Sequence, residues 1–470
     1  MDLTISKPLT LNCGLVLPNR LVKVRPPHSR HSSTQITDKD PTKAAMAEQM
    51  SSKCRNYLPN EAVDAVYQTW ARGGWGMVLT GNVQIDADYL GHPFDIAAHD
   101  SDAAIAPKVL STWKRWAQTY NTAAAATSSP PPLIMQLNHP GRQSPVGAGA
   151  RSLCAQNLAP SAIPLDMGDG WLAKSVVSMV FGTPKAMGED EISAVVGRFA
   201  MAARLAAEAG FAGVEVHAAH GYLLSTFLTA KSNERTDGYG GSARNRARIV
   251  VEVVEAIRKA TESKKGFCVG VKLNSADHQT AEALRDSIEQ IEAISEAGID
   301  FLEISGGSYE DPRVSAEIHV GPPIITAIAL ILLLLQMMAD AGESDTPDVK
   351  VSSRTAAREA FFLDFAKSIR DQFPSLHLMV TGGFRTRAGM EAAVADSACD
   401  LVGVGRPAVL QPSAPRDIIF NRELSDQDAR LSEHKIDVPR LAKLSGIRGV
   451  GSGATSAWYS GQIQRLAKVK

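Results

Sequence analysis

The sequence predicts a single-domain (β/α)8 TIM barrel of the α/β class, and three observations carry that prediction. Short apolar segments alternate with stretches of helical periodicity along the 470 residues, the pattern of repeated βαβ units. Residues 213–216 read as a buried strand, and His217, His220 and Tyr222 follow it within six positions. Reactive side chains therefore stand at a strand's C-terminal end, where this barrel builds its active site. Glycine-rich turns, Thr381-Gly382-Gly383-Phe384 and Gly403-Val404-Gly405-Arg406, accompany the last two strands. That is the usual phosphate position of the fold, although a lone Gly-Gly is more often only a turn.

The strands expected in order are 20–46 (interrupted), 76–80, 133–137, 213–216, 268–273, 301–304, 376–380 and 401–404. Helices are expected over 189–209, 280–297, 356–372 and 386–395, and residues 249–257 carry apolar side chains at helical spacing. The Ala/Ser/Pro-rich run 121–132 reads as a surface loop before the third strand.

The loop after strand four carries the clearest chemistry. Two imidazoles three residues apart on one turn can aim N–H groups at one substrate oxygen and stabilise negative charge developing there. A phenol such as Tyr222 can deliver a proton. A zinc pair and two structural histidines are the competing readings; no third zinc ligand stands at an obvious spacing, and no metal is expected.

A content of 44% hydrophobic residues suffices for a large core, and no long Ser/Pro linker divides the chain. The net charge of −1 and the lack of a basic cluster argue against nucleic acid as a partner. Cys13, Cys54, Cys154, Cys268 and Cys399 are far apart with no C-x-x-C spacing, so neither a disulfide framework nor an iron–sulfur cluster is indicated. With no charged and apolar leader at the N-terminus, a reducing, cytoplasmic location is expected.

The motifs HAAHGYLLSTFL and NERTDGYGGS resemble the signature of the Old Yellow Enzyme family, the FMN-dependent ene-reductases also described as NADH:flavin oxidoreductases. NRLV (19–22), GGWGMVLTGNVQID (73–86), MQLNHPGRQS (135–144), VGVKLN (269–274), LEISGGSYEDP (302–312), MVTGGFRTRAGM (379–390) and LVGVGRP (401–407) resemble its other strand-end motifs, in the family's order. The resemblance implies FMN as cofactor. Gly383, Gly405 and Arg406 would bind its phosphate, Gln136 and Lys272 would meet the pyrimidine edge of the isoalloxazine, and Gly81, Ala45 and Met46 would pack near the ring. Lys272 stands where many members have Arg, keeping the charge but losing the bidentate fork. A cation there stabilises negative charge on reduced flavin.

The implied reaction passes hydride from NADH or NADPH through the flavin to an α,β-unsaturated carbonyl, a quinone or a similar acceptor. His217 and His220 would hold the acceptor's oxygen and Tyr222 would supply the proton. Family members carry His or Asn at the second paired position, so His220 fits. A homo-oligomer is possible within the family. The larger dienoyl-CoA reductase type adds a cysteine-ligated cluster that nothing here supplies.

Two segments depart from the pattern: 24–43, which splits strand one, and 314–336 after strand six. Both begin with Val, whose codons begin GT, and their final Lys and Gln codons can end in AG. Retained introns are the favoured origin; a lineage-specific loop is the rival, as is a membrane anchor over 324–338, where about 15 largely apolar residues fall short of the ~20 that span a bilayer. Transcript reads across the junctions separate these origins. Three functional classes follow: an active reductase, a flavin-binding barrel impaired by its split strand, or a non-catalytic scaffold. The aromatic pairs Trp171 with Phe181 and Trp458 with Tyr459 are candidate pocket walls or core.

Overall fold

Strands whose residues are apolar on both faces demand cover on both faces, which only a parallel sheet wrapped by helices provides. A computed structural model of the chain describes residues 3–24, 49–98, 106–167, 171–275, 280–305, 363, 365–434 and 450–468. It shows eight parallel strands: β1 (Leu21–Lys23), β2 (Met77–Gln84), β3 (Leu133–Asn138), β4 (Gly213–His217), β5 (Cys268–Asn274), β6 (Phe301–Ser305), β7 (Leu378–Thr381) and β8 (Leu401–Val404). Each pairs with the next, and β1 pairs with both β8 and β2 (Val22 with Met77, Lys23 with Val78), which closes the barrel. Every residue of the eight strands is buried. The expected order of strands is borne out.

The helices used below are α1 (Glu61–Ala71), α2 (Ala106–Ala125), α3 (Trp171–Phe181), α4 (Glu189–Ala209), α5 (Leu223–Leu228), α6 (Ala243–Ala260), α7 (Ala281–Glu296), α8 (Arg387–Ala395) and, C-terminally, αC (Val450–Leu466). Local rules set their ends. Asn60 Oδ1 accepts the Ala62 and Val63 amides at 3.0 and 3.2 Å to cap α1. Gly210, at φ 100°, ends α4 in the left-handed conformation. The loop expected over 121–132 is a correction: α2 continues to Ala125, and Ala123 and Ala124 are buried. Alanine is the best helix former, so a run of it extends a helix that has a face to bury. Of the helix expected over 356–372, residues 365–372 are helical as expected; the insertion 314–336, and all of the insertion 24–43 but Val24, lie outside the described residues.

The barrel's lower interior is one apolar layer: Val22, Met77, Leu79, Ile134, Cys268, Phe301, Met379 and Leu401 pack with Leu11 and Leu17. These last two belong to the segment carrying an antiparallel hairpin, Leu9–Thr10 with Val16–Leu17, that plugs the N-terminal end. Glycines make the layer fit. A Cβ on Gly270 would lie 2.2 Å from Phe301 Cζ, far inside van der Waals contact with the ring. Gly270→Ala is therefore expected to destabilise by about 3 kcal/mol through overpacking, read as a lowered denaturation midpoint with an unchanged m-value. Among the described residues, no helix is long and apolar enough to cross a membrane.

Candidate active site

At the C-terminal end of β4, two successive left-handed residues, His220 at φ 62° and Gly221 at φ 73°, reverse the chain over the barrel mouth. A non-glycine residue holds that conformation only when its surroundings enforce it. Here Gln143 Nε2 donates to the His220 carbonyl at 2.8 Å, and the Leu223 amide donates to the His139 carbonyl at 3.0 Å. Tyr222 caps α5, and its buried ring stands edge-on to His217 with centroids 4.9 Å apart.

The turn brings the predicted pair together, in a row rather than a fork. His217 Nδ1 lies 2.9 Å from Asn82 Oδ1, His217 Nε2 lies 2.9 Å from His220 Nδ1, and His220 Nε2 lies 3.1 Å from Ser305 Oγ. With Asn82 Oδ1 as acceptor, His217 carries its proton on Nδ1 and its Nε2 accepts from His220 Nδ1–H. The Ser305 hydroxyl then donates to His220 Nε2. The expectation that both rings present N–H groups outward is thereby refined: the two face each other, and an oxygen entering between them would replace their mutual bond. A proton on His217 Nε2, gained by protonation or by a turned Asn82 amide, completes that two-donor arrangement.

Below the pair, the interior holds a charged layer. Lys272 neighbours His217 across β4 and β5 and Glu303 across β5 and β6. Its Nζ donates to Glu303 Oε1 at 2.6 Å, with both side chains buried. Gln136 Nε2 donates to Glu215 Oε2. Burial pushes the Glu215 carboxyl well above the usual range, and the Glu303 charge pushes it further, against the pull of Lys272. Both influences favour the protonated form of Glu215 beside the Lys272–Glu303 ion pair. His139, after β3, is forced neutral by burial, its pKa lowered to about 3, while its Nδ1 accepts the Gly141 amide at 3.0 Å.

The two glycine turns flank the other side of the mouth. Gly382 and Gly383 take φ 157° and 80°. A Cβ on Gly403 would lie 1.9 Å from Thr381 Oγ1. Arg406 is paired with Glu433 through Nη1, and Arg385 grips the other oxygen of the same carboxylate at 2.6 Å. The segment is anchored next door, where the His434 amide donates to Tyr459 Oη at 2.8 Å and the His434 ring stacks 4.2 Å from Trp458. Trp458 and Tyr459 of αC thus pack against the 433–434 segment. Phe181 sits in a small cluster with Leu165, Met167 and Val177, and Trp171 is 73% exposed on α3.

These residues fit a flavin mononucleotide. Gln136 Oε1 and Thr381 Oγ1 are buried without a hydrogen-bond partner, one acceptor at the expected ring edge and one hydroxyl at the expected phosphate end. Gly81 lies in a β2 register break between Leu79 and Asn82, its amide donating to Tyr67 Oη at 2.9 Å. Ala45 and Met46 lie outside the described residues. Sequence reasoning missed Asn82, Glu215, Glu303, Ser305 and Glu433. A signal existed for two of them: a single glutamate inside an apolar strand, as in GVEVH and FLEIS, must have a buried partner.

Residues 42–327 match the model of the NADH:flavin oxidoreductase / NADH oxidase family. The chain is 42% identical to an NADH-dependent flavin oxidoreductase of Talaromyces variabilis, over 99% of both chains. It is 44% identical to a protein of that description from Neonectria sp. (strain DH2), over all of this chain and 55% of that one, so it spans about half of that relative's length. Its fold is similar to the solved Old Yellow Enzyme homologue from Zymomonas mobilis, with TM-score 0.61 and 20% identity over 90% of this chain and 94% of that one.

Proposed function

The chain belongs to the NADH:flavin oxidoreductase / NADH oxidase family, and from that premise we propose that it works as one FMN-binding domain reducing an activated alkene or quinone with NADH or NADPH. The carrying observation is the ordered row Asn82–His217–His220–Ser305, set one strand from the buried Lys272. When bound, FMN supplies a two-electron store that accepts hydride from a nicotinamide and yields it to an acceptor.

The residues divide the remaining work. Gln136 and Lys272 hold the pyrimidine edge, Lys272 offsetting negative charge there, and Gly81 lets the ring approach β2. Thr381, Gly383, Gly405 and Arg406 take the phosphate. His217 and His220 bind the acceptor's oxygen between them and stabilise its developing charge. Tyr222 delivers the proton to the carbon beside the carbonyl.

Anaerobic titration tests this reading. The purified chain should be yellow, bleach on NADH or NADPH, and recover colour on adding 2-cyclohexenone or a benzoquinone. A colourless chain that takes up no FMN overturns it. Arg406→Ala is expected to weaken FMN binding ten- to a hundredfold, the scale of one charge-assisted contact, and to leave riboflavin binding unchanged; equilibrium dialysis of both flavins reads this out.

One observation favours a second reading, a flavin-binding barrel that turns over poorly. The two imidazoles satisfy each other, so an acceptor must break a made bond before gaining two. Bleaching without recovery by any acceptor would select that reading.

A further inference from the structure

Two thiols and a carboxylate with no part in the proposed flavin chemistry meet at the opposite, N-terminal end of the barrel. Cys268 opens β5, Asp300 immediately precedes β6, and Cys13 belongs to the hairpin segment that plugs the barrel floor. Their ligand atoms all lie within 4.8 Å of one another. Cys268 and Asp300 are buried and Cys13 is half-buried. Chain spacing could not reveal the cluster, because its members come from three separate elements.

The carboxylate is already oriented. Asp300 Oδ2 accepts the Val269 amide and Arg258 Nη2, each at 2.7 Å, which fixes its plane and leaves Oδ1 as the second donor atom. We propose that Cys13, Cys268 and Asp300 form a binding site for a thiophilic divalent cation of the zinc class, with an external ligand entering beside the half-buried Cys13. Three protein ligands with an open fourth position is a known zinc arrangement, and sulfur ligands select a soft ion over calcium or magnesium.

Charge counting supports the choice. Two thiolates and one carboxylate bring three negative charges; the cation and the Arg258 guanidinium together cancel them. Arg258 then plays the outer partner that holds a ligating carboxylate in place. Binding displaces the protons of both thiols, so uptake should release protons and strengthen as pH rises.

The site would act on the frame rather than on the chemistry. Cys268 pairs with Gly213 at the start of β4, whereas His217 ends that strand, about 13 Å further along at ~3.3 Å per residue. A cation bridging Cys13 to β5 and the entry of β6 fastens the hairpin plug to the barrel.

The test uses the full chain, reduced and stripped of metal, titrated with zinc and separately with cobalt as a spectroscopic probe. The proposal expects one zinc per chain and cobalt–thiolate charge-transfer absorption. It also expects affinity to fall on the order of a hundredfold in Cys13→Ser and in Cys13→Ala. The control Cys54→Ser/Cys154→Ser, which removes the two exposed thiols, should bind as the parent does. Zinc should raise the melting midpoint of the parent and the control only, since binding to the folded state stabilises by mass action. Absent zinc uptake by the reduced chain, or uptake unchanged in both Cys13 variants, would each overturn it.

Discussion

Glu303→Ala is expected to destabilise the fold by about 3 kcal/mol, the lower end of the cost of leaving one buried charge without its partner. Lys272 is its partner at 2.6 Å, and both side chains are buried in the barrel interior. The low end is chosen because Glu215 is close by. Removing Glu303 removes a charge that opposes Glu215 ionisation, while Lys272 still favours it, so Glu215 takes over as counterion at the cost of its own desolvation. The double variant Glu215→Gln/Glu303→Ala loses that rescue and should fall well below the single one. Lys272→Met/Glu303→Leu, which removes both charges, should cost far less than Glu303→Ala alone. Urea denaturation of the four chains reads the cycle; equal stability of the single and double glutamate variants would show that Glu215 does not compensate.

The same layer sets a pH dependence. Glu215 has its folded pKa raised above the unfolded value of about 4.3. Its contribution is therefore full below about pH 4.3 and is lost as pH rises towards the folded pKa, because the unfolded chain releases its proton first. Glu215→Gln imitates the protonated form and should flatten that part of the stability profile, making the variant more stable than the parent at pH 8. A parallel profile would place the slope elsewhere.

His217→Ala is expected to slow reoxidation by an enone 10²–10³-fold, the loss typical of one donor aimed at developing negative charge. Reduction by the nicotinamide and flavin content should change little, since His217 faces Asn82 and His220. His220→Ala should behave alike, and the double variant should fall short of the product of the two, because the rings act as a unit. Stopped-flow traces of the two half-reactions separate these effects. A loss confined to the reductive half would assign the pair to the nicotinamide instead.

Much of this architecture was legible in the chain, for physical reasons that differ by element. Strand segments such as CVGV (268–271) and LVGV (401–404) are buried on both faces, so continuous apolar character marks them directly. The His217 turn was legible because imidazoles, phenol and glycine crowd a strand end. The run ending at Ala125 was misread because alanine suits both small surface loops and a buried helix face, and only the packing of Ala123 and Ala124 decides. Glu303, Ser305 and Glu433 were missed because their roles depend on partners far along the chain: Glu303 meets Lys272 31 residues away, and Ser305 meets His220 85 away. Tautomers are likewise fixed by such partners, which is why the pair's inward orientation had no counterpart in local sequence.

The closing seam of the barrel has a consequence for synthesis. Beside β1 and β8, Arg20 Nη1 donates to the Asp400 carbonyl, a contact between residues 380 apart, and among the described residues β1 makes two registered pairs with β2. At roughly 5–20 residues per second, the ribosome needs some 20–80 seconds after making β1 before its second neighbour exists. During that interval the nascent chain carries an incompletely paired strand, so recovery in a heterologous host should depend on elongation speed and chaperone supply more than on the stability of the finished barrel.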